Sequence, residues 1–342
     1  MKRLRWLGVL LLCTAPNLAG ADQLFELKPV ADGVYAAIAK GQFKVNCNAA
    51  VIVLDDGVLV VDTESKPSAA RALMEQIKIV TNKPVKYVVD THLHWDHVYG
   101  NQVYVNAWPA GVEIISTQAT REGIEHHGIP RVKREILDAP KEIEGLKADL
   151  ARATDPIQKA QLEENLRQAE AYLAELKAMQ LTLPTLTFDR RLIIHRPSRT
   201  VELHWFSKGH TDGDAVVYLP KDKVIITGDM LHGWTPYMGD SYPYDWIREL
   251  DEAEKLDFDY VIGGHGDVMR GKAQFELWKQ YFRDLLAEAA KVYADGGTAE
   301  DARKRVAAVL VPKYTGKMPP TFPQDVIGNI DKAFRVVSFT TP

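Results

Sequence analysis

The 342-residue chain is poor in cysteine, low in aromatics at 9% and without an excess of charge of either sign, and each shortage removes a class of protein. Two cysteines, Cys13 and Cys47, cannot build a disulfide-stapled scaffold. Lysine and arginine number 42 against 46 acidic residues, so the net charge is −4 and the basic surface that tracks a nucleic-acid backbone is missing. A mean hydropathy of −0.20 excludes a polytopic membrane protein. The remaining composition, 46% hydrophobic and 26% charged, is that of a globular enzyme rather than a disordered or fibrous chain.

The first residues read as a targeting segment. Lys2, Arg3 and Arg5 precede the apolar run Trp6–Cys13, which is too short to span a bilayer, and Ala19-Gly20-Ala21 then offers small residues at a cleavage site. Residues 1–21 are therefore expected to be a cleaved signal peptide, and 22–342 an exported domain, periplasmic or secreted, without stable membrane insertion. The mature chain would carry 39 cations against 46 anions, a balance of −7, and one thiol. That thiol, Cys47, sits between two asparagines ahead of an apolar strand, and a buried structural role is expected of it.

Two β-rich stretches follow. The first holds expected strands at Gly33–Ala39, Ala49–Leu54 and Gly57–Val61, the last two joined by the turn Asp55-Asp56-Gly57. A helix over Ser68–Val80 and an apolar strand over Val85–Asp90 complete it. The second holds strands at Thr200–Phe206, Ala215–Leu219, Lys223–Thr227 and Tyr260–Gly263, with helices at Asp245–Leu256 and Ala273–Ala294. A C-terminal helical extension over 295–342 contributes two more helices, Ala299–Val309 and Gln324–Phe334. Such a chain suggests two sheets packed together with helices outside. Between the halves, 131–181 carries the stripes Ile143, Leu146, Leu150 and Leu162, Leu166, Ala169, Leu173, Leu176, with Asp155-Pro156 as N-cap and first helical residue of the second. This is an antiparallel helical hairpin, read either as a structural arm or as a homodimer surface or substrate cover.

The chemistry concentrates in His92-Leu93-His94-Trp95-Asp96-His97, four candidate metal ligands in six residues directly after a buried strand. In extended chain His92 and His94 point the same way, while Asp96 and His97 turn toward a second point. Imidazole and carboxylate donors of this kind suit zinc. Later strand ends add His210 in Gly209–Asp214, Asp229 in Thr227-Gly228-Asp229, and His265 in Gly263–Asp267, each beside a glycine that lets backbone approach closely.

This set, spread over Val34–Asp267, resembles the metallo-β-lactamase-fold superfamily. The resemblance implies an α/β, four-layer αββα sandwich with an edge site for two zinc ions. It would place His92, His94 and His210 on one ion, Asp96, His97 and His265 on the other, and Asp229 between them. Asp62 matches the family's early supporting aspartate. Asp229 is similar to the bridging carboxylate of glyoxalase II and related dinuclear hydrolases, where true β-lactamases of the fold usually have cysteine or serine. His94 differs from the glutamate of the diiron oxygen-reducing branch.

The expected activity is hydrolysis of an ester, thioester, lactone or amide of a small-molecule substrate, with Asp96 and Asp229 as the catalytic carboxylates and no nucleic-acid partner. A β-lactamase proper and a non-hydrolytic or redox metal-binding member are the alternatives. Trp95, Tyr99, Trp234 and Tyr237 are the expected substrate-facing aromatics. No arginine or lysine stands out as an anion clamp. His126 and His127 are expected at the surface, and His232 is at most a substrate contact.

Overall fold

The computed structural model describes residues 24–340 apart from 42–43 and 109–110; the expected signal peptide lies outside the described residues. Seven strands form one sheet in chain order: β1 (Phe25–Ala31), β2 (Val34–Ala39), β3 (Ala49–Val53), β4 (Val58–Val61), β5 (Val85–Val89), β6 (Glu113–Thr117) and β7 (Leu186–Phe188). Six form the other: β8 (Arg191–His195), β9 (Thr200–His204), β10 (Val216–Leu219), β11 (Val224–Gly228), β12 (Tyr260–Gly263) and β13 (Met269–Arg270). The helices are α1 (Pro67–Val80), α2 (Trp95–Val98), α3 (Asn101–Ala107), α4 (Gln118–Gly123), α5 (Ile129–Arg152), α6 (Pro156–Ala178), α7 (Pro243–Ala253), α8 (Ala273–Ala294), α9 (Ala299–Tyr314) and α10 (Phe322–Thr340), with a π turn at Ile124–Gly128.

Strand alternation explains the layering. In β3, Ala50 and Ile52 face the second sheet while Ala49 and Val51 join α1 residues Ala69, Leu73 and Ile77 on the outer side. In β10, Val217 and Leu219 meet the first sheet, and Val216 and Tyr218 meet the helices beyond. Both sheets are thus covered on both faces, which is why their central strands read as unbroken apolar runs. This is the αββα sandwich. Helices α9 and α10 place Val306, Leu310, Phe322 and Val326 in the same cluster as Trp246 of α7 and Trp278 of α8, so the C-terminal segment is part of the outer layer.

Strands β1, β6, β7, β8 and β13 were not expected. The last is two residues long and β7 three, too short to show a period. The hairpin is α5 and α6, with the Asp155 carboxylate accepting from the Gln158 N–H at 2.8 Å as its N-cap. Its foot is anchored: Val132, Tyr172 and Leu176 pack on Val98, Tyr99 and Ile124, and Glu175 accepts from Ser68 N–H and Oγ–H at 2.8 and 2.7 Å. Among the described residues no helix is long and apolar enough to cross a membrane.

Candidate metal centre

β4, β5 and β6 run parallel, as do β11 and β12, and the ends of β4, β5, β11 and β12 meet at one edge of the sandwich. Backbone bonds stitch the halves there: Asn48 N–H donates to Gly264 O and Ala215 N–H to Thr91 O, both at 2.7 Å. The Asn48 amide adds bonds to Gly263 O and Gly266 O at 3.0 and 2.7 Å. Onto this edge the chain brings two donor groups, His92, His94, His210 and Asp229 in one and Asp96, His97 and His265 in the other, each with its atoms within 4.8 Å.

The inner atoms converge. His94 Nδ1 lies 3.1 Å from His92 Nε2 and 2.8 Å from His210 Nε2. Asp229 touches both groups, with Oδ1 3.4 Å from His97 Nε2 and Oδ2 3.6 and 3.3 Å from the Nε2 atoms of His210 and His265. Asp96 Oδ2 is 3.5 Å from His265 Nε2 and 3.8 Å from His97 Nε2.

The outer nitrogens are each tethered. His97 Nδ1 meets Asp62 Oδ2 at 2.8 Å, His94 Nε2 meets Asp240 Oδ2 at 3.0 Å, His210 Nδ1 meets Tyr237 O at 3.1 Å and His265 Nδ1 meets Asn46 O at 2.8 Å. His92 Nδ1 meets Thr91 Oγ1 at 3.0 Å, and that hydroxyl donates to Asp62 Oδ2, also at 3.0 Å. Asp62 therefore orients one imidazole from each group. It does so from a left-handed backbone, φ 63°, a conformation that costs a non-glycine residue about 1–3 kcal/mol and persists only where surroundings enforce it. A ring fixed by its outer nitrogen presents its inner lone pair in a set direction, as metal ligation requires. Two inner atoms, His97 Nε2 and Asp229 Oδ1, are buried and have no hydrogen-bond partner. A metal fits here: a cation would satisfy both.

The electrostatics agree. Burial, then the neighbouring imidazoles, push His92 and His210 well below the usual histidine range, leaving them neutral and able to donate a lone pair. Burial opposes charge on His97, yet Asp62, Asp229 and Asp96 draw its proton on up to about 10. Burial likewise opposes the Asp229 carboxylate, but His265, His97 and His232 hold it well below the carboxylate range. The site attracts positive charge.

Glycine placement is decisive at Gly264, where an added Cβ would overlap Asp229 Oδ1 and press on His97 Cε1. Cys47 is buried as expected, its Sγ 3.3 Å from His97 Nδ1, and burial with the nearby carboxylates Glu64 and Asp62 pushes its thiol up.

The aromatic wall is partly as expected. Trp234 stacks on His265 with ring centres 4.5 Å apart, and Tyr237 stands edge-on to His94 at 5.9 Å; they are 42% and 58% exposed. Trp95 is half-buried and lines the cleft beside His94, under the Arg131 guanidinium at 5.4 Å. Tyr99 corrects the expectation: it is buried beneath α2 against the hairpin foot, because α2 turns its side chain inward. His232 is also buried, edge-on to His265 and Trp278, and accepts from Trp234 N–H at 3.0 Å, so it backs the wall rather than facing a substrate. His126 and His127 are exposed, yet they line the same cleft of about 720 Å³, where the structure also brings Arg131, Arg134 and Lys332. These cations and Asp240 were not singled out in the sequence. Their signal is faint, because they come from α5, α10 and the 238–240 loop, far from the ligand run.

Residues 43–265 match the family model described as the metallo-β-lactamase superfamily. The chain belongs to the metallo-β-lactamase superfamily. It is 24% identical over 251 residues to the linear primary-alkylsulfatase of Pseudomonas sp. (strain ATCC 19151), covering 69% of this chain and 44% of that relative, so it spans less than half the sulfatase's length. It is 22% identical over 299 residues to the metallo-β-lactamase type 2 of Elizabethkingia meningoseptica, covering 84% of this chain and 96% of that enzyme. The metallo-β-lactamase from Pontibacter korlensis shares the fold at a TM-score of 0.55 and 15% identity, over 76% of this chain and 99% of the other. These relatives are named for hydrolytic activities, and this superfamily member carries a His/Asp cluster able to hold metal.

Proposed function

We propose that the mature protein is an exported dinuclear zinc hydrolase that cleaves an ester, thioester, lactone or amide of a small organic substrate. One observation carries the reading: donors from four separate segments, Asp229 among them, meet at one edge, with every imidazole tethered on its outer nitrogen. His92, His94 and His210 would hold one zinc, Asp96, His97 and His265 the other, with Asp229 reaching both. When bound, such a pair supplies Lewis acidity and a water that ionises near pH 7.

The protein's own residues do the rest. Asp229 and Asp96 fix the donor geometry, each setting an Oδ2 beside His265 Nε2, at 3.3 and 3.5 Å. Asp96 Oδ2, held at 3.4 Å by the Asn46 amide, is placed to take up a proton and return it to the leaving group. Trp234 and Tyr237 wall the opening and keep bulk water from the reacting bond. Family resemblance at Asp229 speaks against a β-lactamase proper, while the Elizabethkingia relative speaks for it. A sulfate ester is a second reading, favoured by the alkylsulfatase relative and by Arg131 and Arg134 in the cleft beside His94.

The test is elemental analysis of protein purified without added metal, followed by a screen of thioesters, lactones, alkyl sulfates and a chromogenic cephalosporin. Close to two zinc ions with thioester or lactone turnover supports the proposal. A single iron with full activity, or efficient turnover of the cephalosporin alone, overturns it. For export, N-terminal sequencing should return a start near Asp22; an intact Met1 from a cytosolic fraction refutes it.

A further inference from the structure

Tyr237 stands between two concavities. One is the polar cleft beside His94; the other is a predominantly apolar groove of about 750 Å³, bounded by Trp234, Pro236 and Tyr237 on one side and by Pro319 and Gly328 of the C-terminal segment on the other. Both volumes lie in the range of small-molecule sites. The groove shares its walls with the metal centre: Trp234 lies flat on His265, and Tyr237 abuts His94 and His210.

Helix α10 is fastened to this wall. The Asn329 amide, buried at 3% exposure, donates to Pro236 O at 2.8 Å and to Tyr281 Oη at 3.0 Å, and Lys332 Nζ donates to Gly239 O at 3.2 Å. Position 328 borders the groove. Glycine inside a helix costs stability and is retained where space or conformation demands it. Here φ is not left-handed, and a Cβ at Gly328 would meet nothing within 4 Å. No packing neighbour explains the glycine; the space beside it is the groove.

We propose that this groove is the subsite for the apolar part of the substrate, an aliphatic acyl or alkyl chain of several carbons, and that α10 sets its length through Gly328. The assignment rests on the hydrolase reading for the position of the scissile bond, at the donor cluster between Trp234 and Tyr237. An extended chain leaving that bond past Trp234 enters the groove, while polar substituents face the Arg131 side.

The test compares wild type with Gly328→Leu and Gly328→Ala. Zinc-loaded proteins are assayed on p-nitrophenyl esters from acetate to decanoate, and metal-free proteins are titrated calorimetrically with butanoate and decanoate. In wild type, kcat/KM should rise by roughly fourfold per methylene until the groove is filled. Gly328→Leu should lower kcat/KM for the decanoate ester at least tenfold and leave the acetate ester within twofold. Gly328→Ala should lower the decanoate value less than Gly328→Leu does, and neither variant should melt earlier than wild type. Decanoate should bind wild type more tightly than butanoate, with a negative heat-capacity change, and bind Gly328→Leu less tightly. A flat chain-length profile in wild type, or equal decanoate affinity in wild type and Gly328→Leu, overturns the subsite. If no ester of any length is turned over, the ester-hydrolase reading falls separately, and the calorimetry alone decides the groove.

Discussion

Replacing Asp62 by asparagine removes one charge and keeps the shape, so the consequences can be worked out atom by atom. Oδ1 accepts from Thr91 N–H at 2.9 Å, and Oδ2 accepts from the Thr91 hydroxyl at 3.0 Å and from His97 Nδ1–H at 2.8 Å. All three partners are donors, and an asparagine has only one acceptor oxygen. If that oxygen takes the Oδ1 place, the new NH₂ faces His97 and Thr91. His97 must then carry its proton on Nε2, the unpartnered atom that faces Asp229 and would otherwise offer its lone pair to a metal. If it takes the Oδ2 place, the buried Thr91 N–H is orphaned, at about 1–3 kcal/mol. Loss of such a supporting contact usually weakens metal binding by about 10–100-fold, or roughly 1.4–2.8 kcal/mol, the same size as the hydrogen-bond cost. Because Thr91 passes the contact on to His92, both zinc affinities should fall, not one. Stepwise zinc affinities measured by chelator competition, together with the Tm of stripped protein, check this. Affinities within twofold of wild type at both steps would refute the reasoning, and a drop in Tm alone would reduce Asp62 to a structural role.

Gly264→Ala forces a methyl onto Asp229 Oδ1, and should cost at least tenfold in zinc affinity while far-ultraviolet circular dichroism stays native; unchanged affinity would show that the edge can yield. Burial raises the Asp214 carboxyl to about 6 from 3.8 despite the Thr211 hydrogen bonds, so its native state holds the proton more tightly than the unfolded chain does. Its contribution to stability therefore declines as pH rises from about 4 to about 6, by roughly 3 kcal/mol at most. Asp214→Asn should lack that decline in denaturant titrations at pH 4 and 6.5, and parallel curves for the two proteins would contradict it. Arg131→Ala with Arg134→Ala should raise KM several-fold for anionic substrates with little change for neutral ones; an equal effect on both classes would remove the cleft from substrate recognition.

The sequence by itself singled out the histidines and aspartates that meet at the sandwich edge, and the layered fold. His92, His94, Asp96 and His97 sit in one turn after an apolar strand, and His210, Asp229 and His265 each stand beside glycine at a strand edge, so local pattern was enough to single them out. The apolar run Val85–Asp90 read as a strand buried on both faces, and the stripes of 131–181 read as the helical pair. Tertiary structure decided what local pattern does not encode. The Asp240 tether to His94 joins residues 146 apart, the Asn46 carbonyl on His265 joins residues 219 apart, and the α10 contacts with the 236–239 loop span 93. Tyr99 illustrates the converse: adjacency to the ligand run suggested a substrate contact, but the turn of α2 directs it into the core. Ligands announce themselves because metal chemistry restricts which residue types serve and at what spacing. The groove, the cationic cleft and the tethers are made by ordinary residues whose meaning depends on which distant element folding sets against them.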